Sequence, residues 1–475
     1  MVLKHRDREL LRFRWVGDVR VSIVSVNGAA RRLLPLEFGD ERLDCADDAL
    51  RYPLEDWLAS RSAPVGRHFM RNLMESLGLN LNAPDYHRKA LEFSRGLSLN
   101  DVYWVVPDDF RGTWAEFNLY DNPFSEAMAE IAFTGRGRLD PRKAATSPEM
   151  TTNGMLPKCW VREEDGIYLY KGGTGANGQY HHAVEGLEPY SEFYAAQVAD
   201  ALGFKHVKYE LAKFKGRLCS KCRLFTSDRY GYLPASKLPN RDLILDDVRF
   251  REMFLFDAVI YNVDRHLGNF GYLIDNDTNE IVDVAPIFDN GYGLMPHLEV
   301  SARSAADNYY RIRNYLRDKR PALFPGWLDF PYELTDDLME RLEALEKFRF
   351  KKHRHYNWSD ERRVALSGFL QKRVSEIRRF GRKADEKSEQ SLVASSIIPN
   401  ENVGVKSASD FGLSESEQNA AMLILRNSLV TEGEIANQLG VTMRQAERII
   451  AALKRKAGLR RRGSDKIGEW LFDFS

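Results

Sequence analysis

Between Arg249 and Asp289 a helix, a polar loop and a hairpin follow one another, and their ends carry three oxygen-bearing side chains. Phe250, Phe254, Leu255, Ala258 and Val259 keep helical spacing, which predicts a helix over 249–261 with one buried face. The chain then runs through Asn262-Val-Asp264-Arg-His266-Leu-Gly-Asn269. Phe270 to Ile274 reads as a strand, Asp275-Asn-Asp-Thr-Asn279 as a turn, and Ile281 to Ala285 as the returning strand, before Pro286-Ile-Phe-Asp289. A hairpin that leaves from Asn269 and returns through Ala285 brings its open ends together. Asn269 and Asp289 then lie near each other, with Asp264 one loop away. Hard oxygen ligands of this kind suit Mg²⁺, which keeps its other positions for water and phosphate oxygens.

Protein kinases place an Asn five positions after an Asp, then a hairpin, then a metal-binding Asp, and Asp264 and Asn269 keep that offset. One carboxylate there orients the attacking hydroxyl and accepts its proton. The Asn and the second Asp hold the metal ions that neutralise phosphate charge. His266 is expected to hydrogen-bond within the loop. Such a site also needs a phosphate-binding Lys on an upstream strand. Met155 to Val161 and Ile167 to Lys171 read as a hairpin across Glu163-Glu-Asp-Gly166, with Lys171 at its end. A helix follows with Pro189 near its first turn, and Glu192 is placed to pair with Lys171. The preceding loop, Thr151-Thr152-Asn153-Gly154-Met-Leu-Pro-Lys158, offers amides and a Lys to phosphates. Gly173-Thr-Gly175-Ala-Asn-Gly178 matches G-x-G-x-x-G, but no helix opens at once after it and it follows the Lys, so it reads as a loop rather than a dinucleotide fingerprint.

The rest of the chain is organised around that region. Residues 1–140 read as a mixed α/β domain without a chemical motif. Val19 to Val26 alternates toward an Asn27-Gly28 hairpin signal, and helical patterns lie near 54–60 and 67–77. Residues 141–385 hold the chemistry, with a basic helical stretch over 340–384. Residues 386–412 lose periodicity and read as a linker to a separate domain over 413–475. There, 431–440 and 442–457 read as helix, turn, helix, with Thr442 as a cap, and 459–463 and 467–471 as a wing. From Arg444 to Lys466 there are nine basic residues and two acidic ones, in a chain whose net charge is zero. This resembles a winged helix-turn-helix that binds DNA through Arg444, Gln445 and Arg448 on the helix and Arg460, Arg461 and Arg462 on the wing. Of Cys45, Cys159, Cys219 and Cys222, the last two form a lone C-x-x-C with no second ligand pair, which does not make a closed zinc site, and all four read as reduced thiols. No apolar run approaches the ~20 residues that span a bilayer, so a cytoplasmic protein with no membrane partner is expected.

The residues from Thr151 to Lys158, Lys171, Glu192, the Asp264–Asn269 loop and Ala285-Pro-Ile-Phe-Asp289 together resemble the HipA-type bacterial serine/threonine kinases over about residues 145–385. The resemblance implies an α+β, protein-kinase-like bilobal fold that uses ATP and Mg²⁺. Asp264 would be the catalytic base, Asn269 and Asp289 the Mg²⁺ ligands, and Lys171 a contact to ATP phosphates. Gly154 and Lys158 keep the family's spacing, which puts Thr151 where the family carries an autophosphorylated serine, with Thr152 and Ser147 as competitors. The family also implies a protein substrate, such as an aminoacyl-tRNA synthetase of the translation machinery, an antitoxin partner, and a toxin or defence role. Asp264-Arg-His-Leu-Gly-Asn269 also resembles the loops of lipid-type and small-molecule phosphotransferases, and a nucleotide-sensing transcriptional regulator is a further reading.

Overall fold

The computed structural model describes residues 1–140, 147–174, 186–238, 244, 247–300, 305–319, 334–388, 420, 424, 432, 435–436, 442–456, 459–462 and 469–472. The chain divides into two compact units, Met1–Gln390 and Ser391–Ser475.

The first unit is mixed helix and sheet. It opens with β1 (Val2–His5), β2 (Arg8–Trp15) and β3 (Val21–Val26), joined by β4 (Tyr103–Val106) in the order β3-β2-β1-β4. Between them lie α1 (Arg51–Ser60), α2 (Met70–Ser76) and α3 (Tyr86–Ser94). Leu54, Trp57 and Leu58 of α1 pack on Leu11, Phe13 and Val105 of the sheet. Asn27-Gly28 does not turn a hairpin. Asn27 Nδ2 donates to Glu9 O at 2.9 Å, and the chain enters a 3₁₀ turn over Gly28–Leu33, so β3 pairs only backward with β2. After α4 (Trp114–Phe117), α5 (Glu126–Thr134) starts at Ser125, whose hydroxyl accepts from Met128 N, and stops at Gly135 with φ +73°.

A second sheet follows the order β5-β6-β8-β7, from β5 (Lys158–Glu163), β6 (Gly166–Gly172), β7 (Tyr209–Phe214) and β8 (Arg217–Arg223). Its hairpin register sets Lys158 directly opposite Lys171. Helix α6 (Glu188–Leu202) begins with Pro189 in its first turn, where the missing N–H costs nothing, and ends at Gly203 with φ +69°. A third sheet, β11-β10-β9, is built from β9 (Tyr230–Pro234), β10 (Gly271–Asp275) and β11 (Glu280–Val284). It is fed by α7 (Val248–Ile260), which Asp247 caps by accepting from Arg249 N at 3.0 Å. Helix α7 is buried over most of its circumference, with Phe250, Met253, Phe254, Leu255, Phe256, Ala258, Val259 and Ile260 all in one core with α6. Residues 1–140, expected as a domain of their own, lie in the same compact unit as the second and third sheets. Asn279 Nδ2, in the β10–β11 turn, donates to Leu34 O at 2.7 Å across that boundary.

Helices α8 (Ala305–Asp318), α9 (Asp336–Glu343) and α10 (Asp360–Ser388) close the unit. The helical stretch expected over 340–384 is interrupted between α9 and α10, because aromatic anchors there take the chain across α6. Trp358 stacks on Tyr194 with ring centroids 4.2 Å apart, and Phe350 meets the same ring edge-on at 5.2 Å. Among the described residues of the second unit, α11 (Met443–Lys456) precedes an antiparallel pair, β12 (Leu459–Arg462) and β13 (Glu469–Phe472). Ala446, Ile450 and Leu453 of α11 and Leu459 of β12 form a small core with Ala420, Ile424, Ile435 and Ala436.

Candidate active site

One residue before the end of β6, Lys171 points into a cluster of carboxylates. Its Nζ donates to Glu192 Oε1 on α6 at 2.9 Å and pairs with Asp289 Oδ1. Glu192 is fully buried, and its second oxygen accepts from Asn290 N at 2.8 Å, so one carboxylate ties the strand lysine to the residue after Asp289. Burial alone would lower the Lys171 ammonium, but Asp289 and Glu192 outweigh it and hold it above its ordinary value. Burial would likewise raise the Asp289 carboxyl, yet Lys171 and Lys158 hold it well below the usual carboxylate range. Asp289 adopts φ +57°, and its N–H donates to Tyr209 Oη at 3.0 Å. A non-glycine residue in that backbone region is uncommon, and the hydrogen bonds around it are what hold it there.

The Asp264 loop is built on a buried arginine that sequence reasoning passed over. Arg265 Nε and Nη2 donate to Asp257 of α7 at 2.8 and 2.9 Å. Nη1 donates to Asn269 O and Phe288 O, and Nη2 also reaches Asn290 Oδ1 at 2.7 Å. One guanidinium thus joins the helix, the loop and the segment carrying Asp289. Asp257 is the lone acid within the apolar run from Met253 to Ile260, and that was the available signal. Asn262 Nδ2 donates to Asp257 Oδ1 at 3.0 Å, while its own oxygen accepts from Asp264 N at 3.2 Å. Asn269 bridges the loop from inside: its Nδ2 donates to Asp264 O at 3.1 Å and its Oδ1 accepts from His266 N at 3.0 Å. His266 Nδ1 accepts from Gly268 N at 3.0 Å, a role within the loop. The Asp264 side chain opens to solvent and makes no hydrogen bond or ion pair among the described residues. Loss of part of its solvent shell at the cleft, and then the Asp289 charge, push its carboxyl above the ordinary value.

The segment from Ser147 to Lys158 folds against this cluster. Lys158 Nζ donates to Asn153 O at 2.9 Å. Its burial, with the Lys171 charge facing it, pushes its ammonium down to about 7. Gly154 has φ +93°, and a Cβ there would come within 2.2 Å of Lys158 Nζ, so glycine is required by both backbone and space. The three hydroxyls of the segment are engaged. Thr151 Oγ1 donates to Leu97 O at 2.7 Å, Thr152 Oγ1 donates to Pro148 O at 2.6 Å and accepts from Trp160 Nε1, and Ser147 Oγ donates to the buried Glu149. Of the G-x-G-x-x-G stretch only Gly173 and Thr174 are described; its remaining residues, Gly175 to Gly178, lie outside the described residues.

In the second unit Arg444, Gln445, Arg448 and Arg460 are exposed and Arg461 half-buried. Gln445 Oε1 accepts from Thr442 N at 2.9 Å and from Thr442 Oγ1 at 2.8 Å, so its oxygen closes the start of α11. Arg460, Arg461 and Arg462 face Leu471, Trp470 and Glu469 across the β12–β13 pair. The expected helix over 431–440 and linker over 386–412 fall largely outside the described residues; 432, 435 and 436 are helical, and 386–388, expected as linker, are the last residues of α10.

Lys171, Glu192, Asp289, Asn269 and Asp264 therefore converge, with Lys158 facing the same point. Such a cluster can hold a divalent cation and a polyanion beside a carboxylate free to take a proton. No protein-family model matches the chain. Part of it is similar to the serine/threonine-protein kinase CtkA of Helicobacter pylori, with 29% identity over 136 residues, which cover 23% of this chain and 42% of that protein. The chain thus spans under half the length of this curated relative. The crystal structure of CtkA superposes with a TM-score of 0.37 at 19% identity, covering 49% of this chain and 95% of that one. HipA of Shewanella oneidensis MR-1, solved with HipB and operator DNA, superposes with a TM-score of 0.45 at 11% identity, covering 80% of this chain and 99% of that one. No described helix is long and apolar enough to cross a membrane.

Proposed function

We propose that this chain is an ATP- and Mg²⁺-dependent serine/threonine protein kinase of the HipA type. The observation that carries the reading is the buried Lys171, held at once by Glu192 and Asp289 beside the Asp264 carboxylate, which has no partner among the described residues. Lys171 and Lys158 would bind phosphate oxygens. Asn269 Oδ1, which accepts a single hydrogen bond among the described residues, and the partly exposed Asp289 carboxylate would hold Mg²⁺. Bound Mg²⁺ would neutralise charge building on the transferred phosphoryl group. Asp264, with its raised carboxyl and open side, orients the acceptor hydroxyl and takes its proton. Similarity to a serine/threonine-protein kinase supports the substrate class.

The exposed basic side chains of α11 support DNA binding by the second unit, with Arg444 and Arg448 reading the groove and Arg460–Arg462 meeting phosphates. Because the Gln445 oxygen is committed to Thr442, base contacts fall mainly to the arginines. The resemblance of the Asp264–Asn269 loop and the Ala285–Asp289 segment to HipA-type kinases makes an antitoxin partner and a toxin role part of this reading. Mass spectrometry of the purified chain after incubation with Mg²⁺-ATP tests it. Phosphate on the chain or on an added protein is expected, with Thr151 as the first residue to map. No phosphate in the wild type, or an equal amount in Asp264→Asn, overturns it.

A further inference from the structure

Residues Glu149 to Met155 are held from two sides. From the phosphate side, Lys158 Nζ binds Asn153 O. From the opposite side, five hydrogen bonds arrive from the N-terminal region. Arg67 Nη2 donates to Glu149 O at 2.8 Å and Nη1 to Thr152 O at 2.9 Å. Ala63 N donates to Met150 O at 2.7 Å, His68 N to Met155 O at 3.0 Å, and Leu97 O accepts from Thr151 Oγ1. Arg67 is 2% exposed. No carboxylate lies within ion-pair range of it among the described residues, and its Nε has no acceptor. The Glu149 carboxylate is spoken for by Trp160 N and the Ser147 hydroxyl. Burial accordingly pushes the Arg67 guanidinium down to about 10. A buried cation held by carbonyls is expensive, and an apolar side chain would fill the same space at less cost. What the charge adds is geometry: a planar fork that fixes two carbonyls three residues apart.

We propose that Arg67 is a positioning residue through which the N-terminal region sets the Glu149–Met155 loop against the phosphate site, so that docking of that region and nucleotide affinity are coupled. What the loop holds rests on the kinase reading; the clamp itself does not. If the clamp loosens, the loop amides and Asn153 O lose their fixed place, and Lys158 loses its acceptor.

The test is hydrogen exchange on the full chain without nucleotide, followed by Mg²⁺-ATP calorimetry. Arg67→Met should speed exchange of the Met150–Met155 amides by about tenfold or more, the loss expected for charge-assisted hydrogen bonds, with β6 and β8 unchanged. Nucleotide affinity should fall by a similar factor. Arg67→Lys, which keeps one donor to one carbonyl, should recover part of both. Arg42→Met, which removes another buried arginine bonded to a backbone carbonyl, Gly39 O, serves as the structural control and should move neither. If Arg67→Met does not fold, Arg67→Lys carries the same comparison. Exchange over Met150–Met155 equal to wild type, or raised only together with the whole unit, overturns the proposal. A wild type that binds no nucleotide overturns the kinase reading instead, and the exchange data still decide the clamp.

Discussion

Replacing Arg265 by methionine keeps an unbranched apolar stem and removes the charged guanidinium. The structure then leaves Asp257, 4% exposed, with Asn262 Nδ2 as its remaining donor among the described residues. Two unit charges about 4 Å apart attract by about 4 kcal/mol at an effective dielectric near 20, and breaking a buried pair from one side typically costs about 3–5 kcal/mol. Asn269 O, Phe288 O and Asn290 Oδ1 lose a donor as well. Against a domain stability of about 5–15 kcal/mol, that is a large part of the margin. Urea denaturation of wild type, Arg265→Met, Asp257→Leu and the double variant measures it, because the second substitution removes the stranded carboxylate. The double variant should regain on the order of 1–3 kcal/mol relative to the sum of the singles. Arg265→Lys, a point charge without the fork, should fall between. An Arg265→Met variant within about 0.5 kcal/mol of wild type, the range of ordinary surface changes, would mean that the guanidinium does not hold these three segments together.

Asp264→Asn should lower phosphotransfer by ~10²–10⁴-fold in a steady-state assay while calorimetric ATP affinity stays near wild type. Because its carboxyl is raised, the acid limb of the wild-type pH–rate profile should lie above the ordinary carboxylate value near 3.9, with activity lost as pH falls through it. Asp289→Asn should instead weaken Mg²⁺-dependent nucleotide binding, and unchanged affinity at varied Mg²⁺ would remove Asp289 from the metal. Lys158 is lowered to about 7 from 10.5, so between those values the unfolded chain holds more protons and stability should rise with pH. Thermal melts of wild type and Lys158→Met across that window check this, the variant lacking the rise. Replacing Arg460, Arg461 and Arg462 by Ala in the full chain should weaken binding to all duplexes and flatten the slope of log K against log salt by roughly 0.9 per lost phosphate contact, read by fluorescence anisotropy.

The meeting of Asn269, Asp289 and Asp264 was legible because a hairpin forces its two ends together whatever its side chains do. The pairing of Lys171 with Glu192 was legible for a similar reason: the strand end and the first turns of the next helix lie close in sequence. Arg265 was quoted in the loop yet missed as its anchor, because its partners Asp257, Phe288 and Asn290 come from three segments and nothing local marks them as neighbours. Arg67 lies beyond any local signal, since its acceptors are more than eighty residues away and are backbone carbonyls that carry no side-chain identity. The Asn27-Gly28 error has the opposite origin. The dipeptide suits a hairpin turn, but Asn27 bonds to Glu9 on the strand already in place, and tertiary pairing overrode the local preference.

The register of the β5–β6 hairpin adds what no motif contains. Lys158 and Lys171 stand directly across from one another, an arrangement that is unfavourable in a sheet because like charges face each other. The fold tolerates it unequally. Lys171 takes both carboxylates, Glu192 and Asp289, and is held above its ordinary value, while Lys158, whose hydrogen-bond partner among the described residues is the Asn153 carbonyl, is lowered to about 7 by burial and the facing Lys171 charge. The cluster is therefore short of negative charge on the Lys158 side and crowded on the Asp289 side, where one carboxylate serves as the partner of Lys171. On the kinase reading, a polyphosphate supplies the missing charge to both lysines, and its cation gives Asp289 a new partner. On that reading the ion pair between Lys171 and Asp289 is exchanged when the nucleotide and its cation bind. Glu192, buried and tied to Asn290 N, would on the same reading keep the lysine in place while the other partner changes.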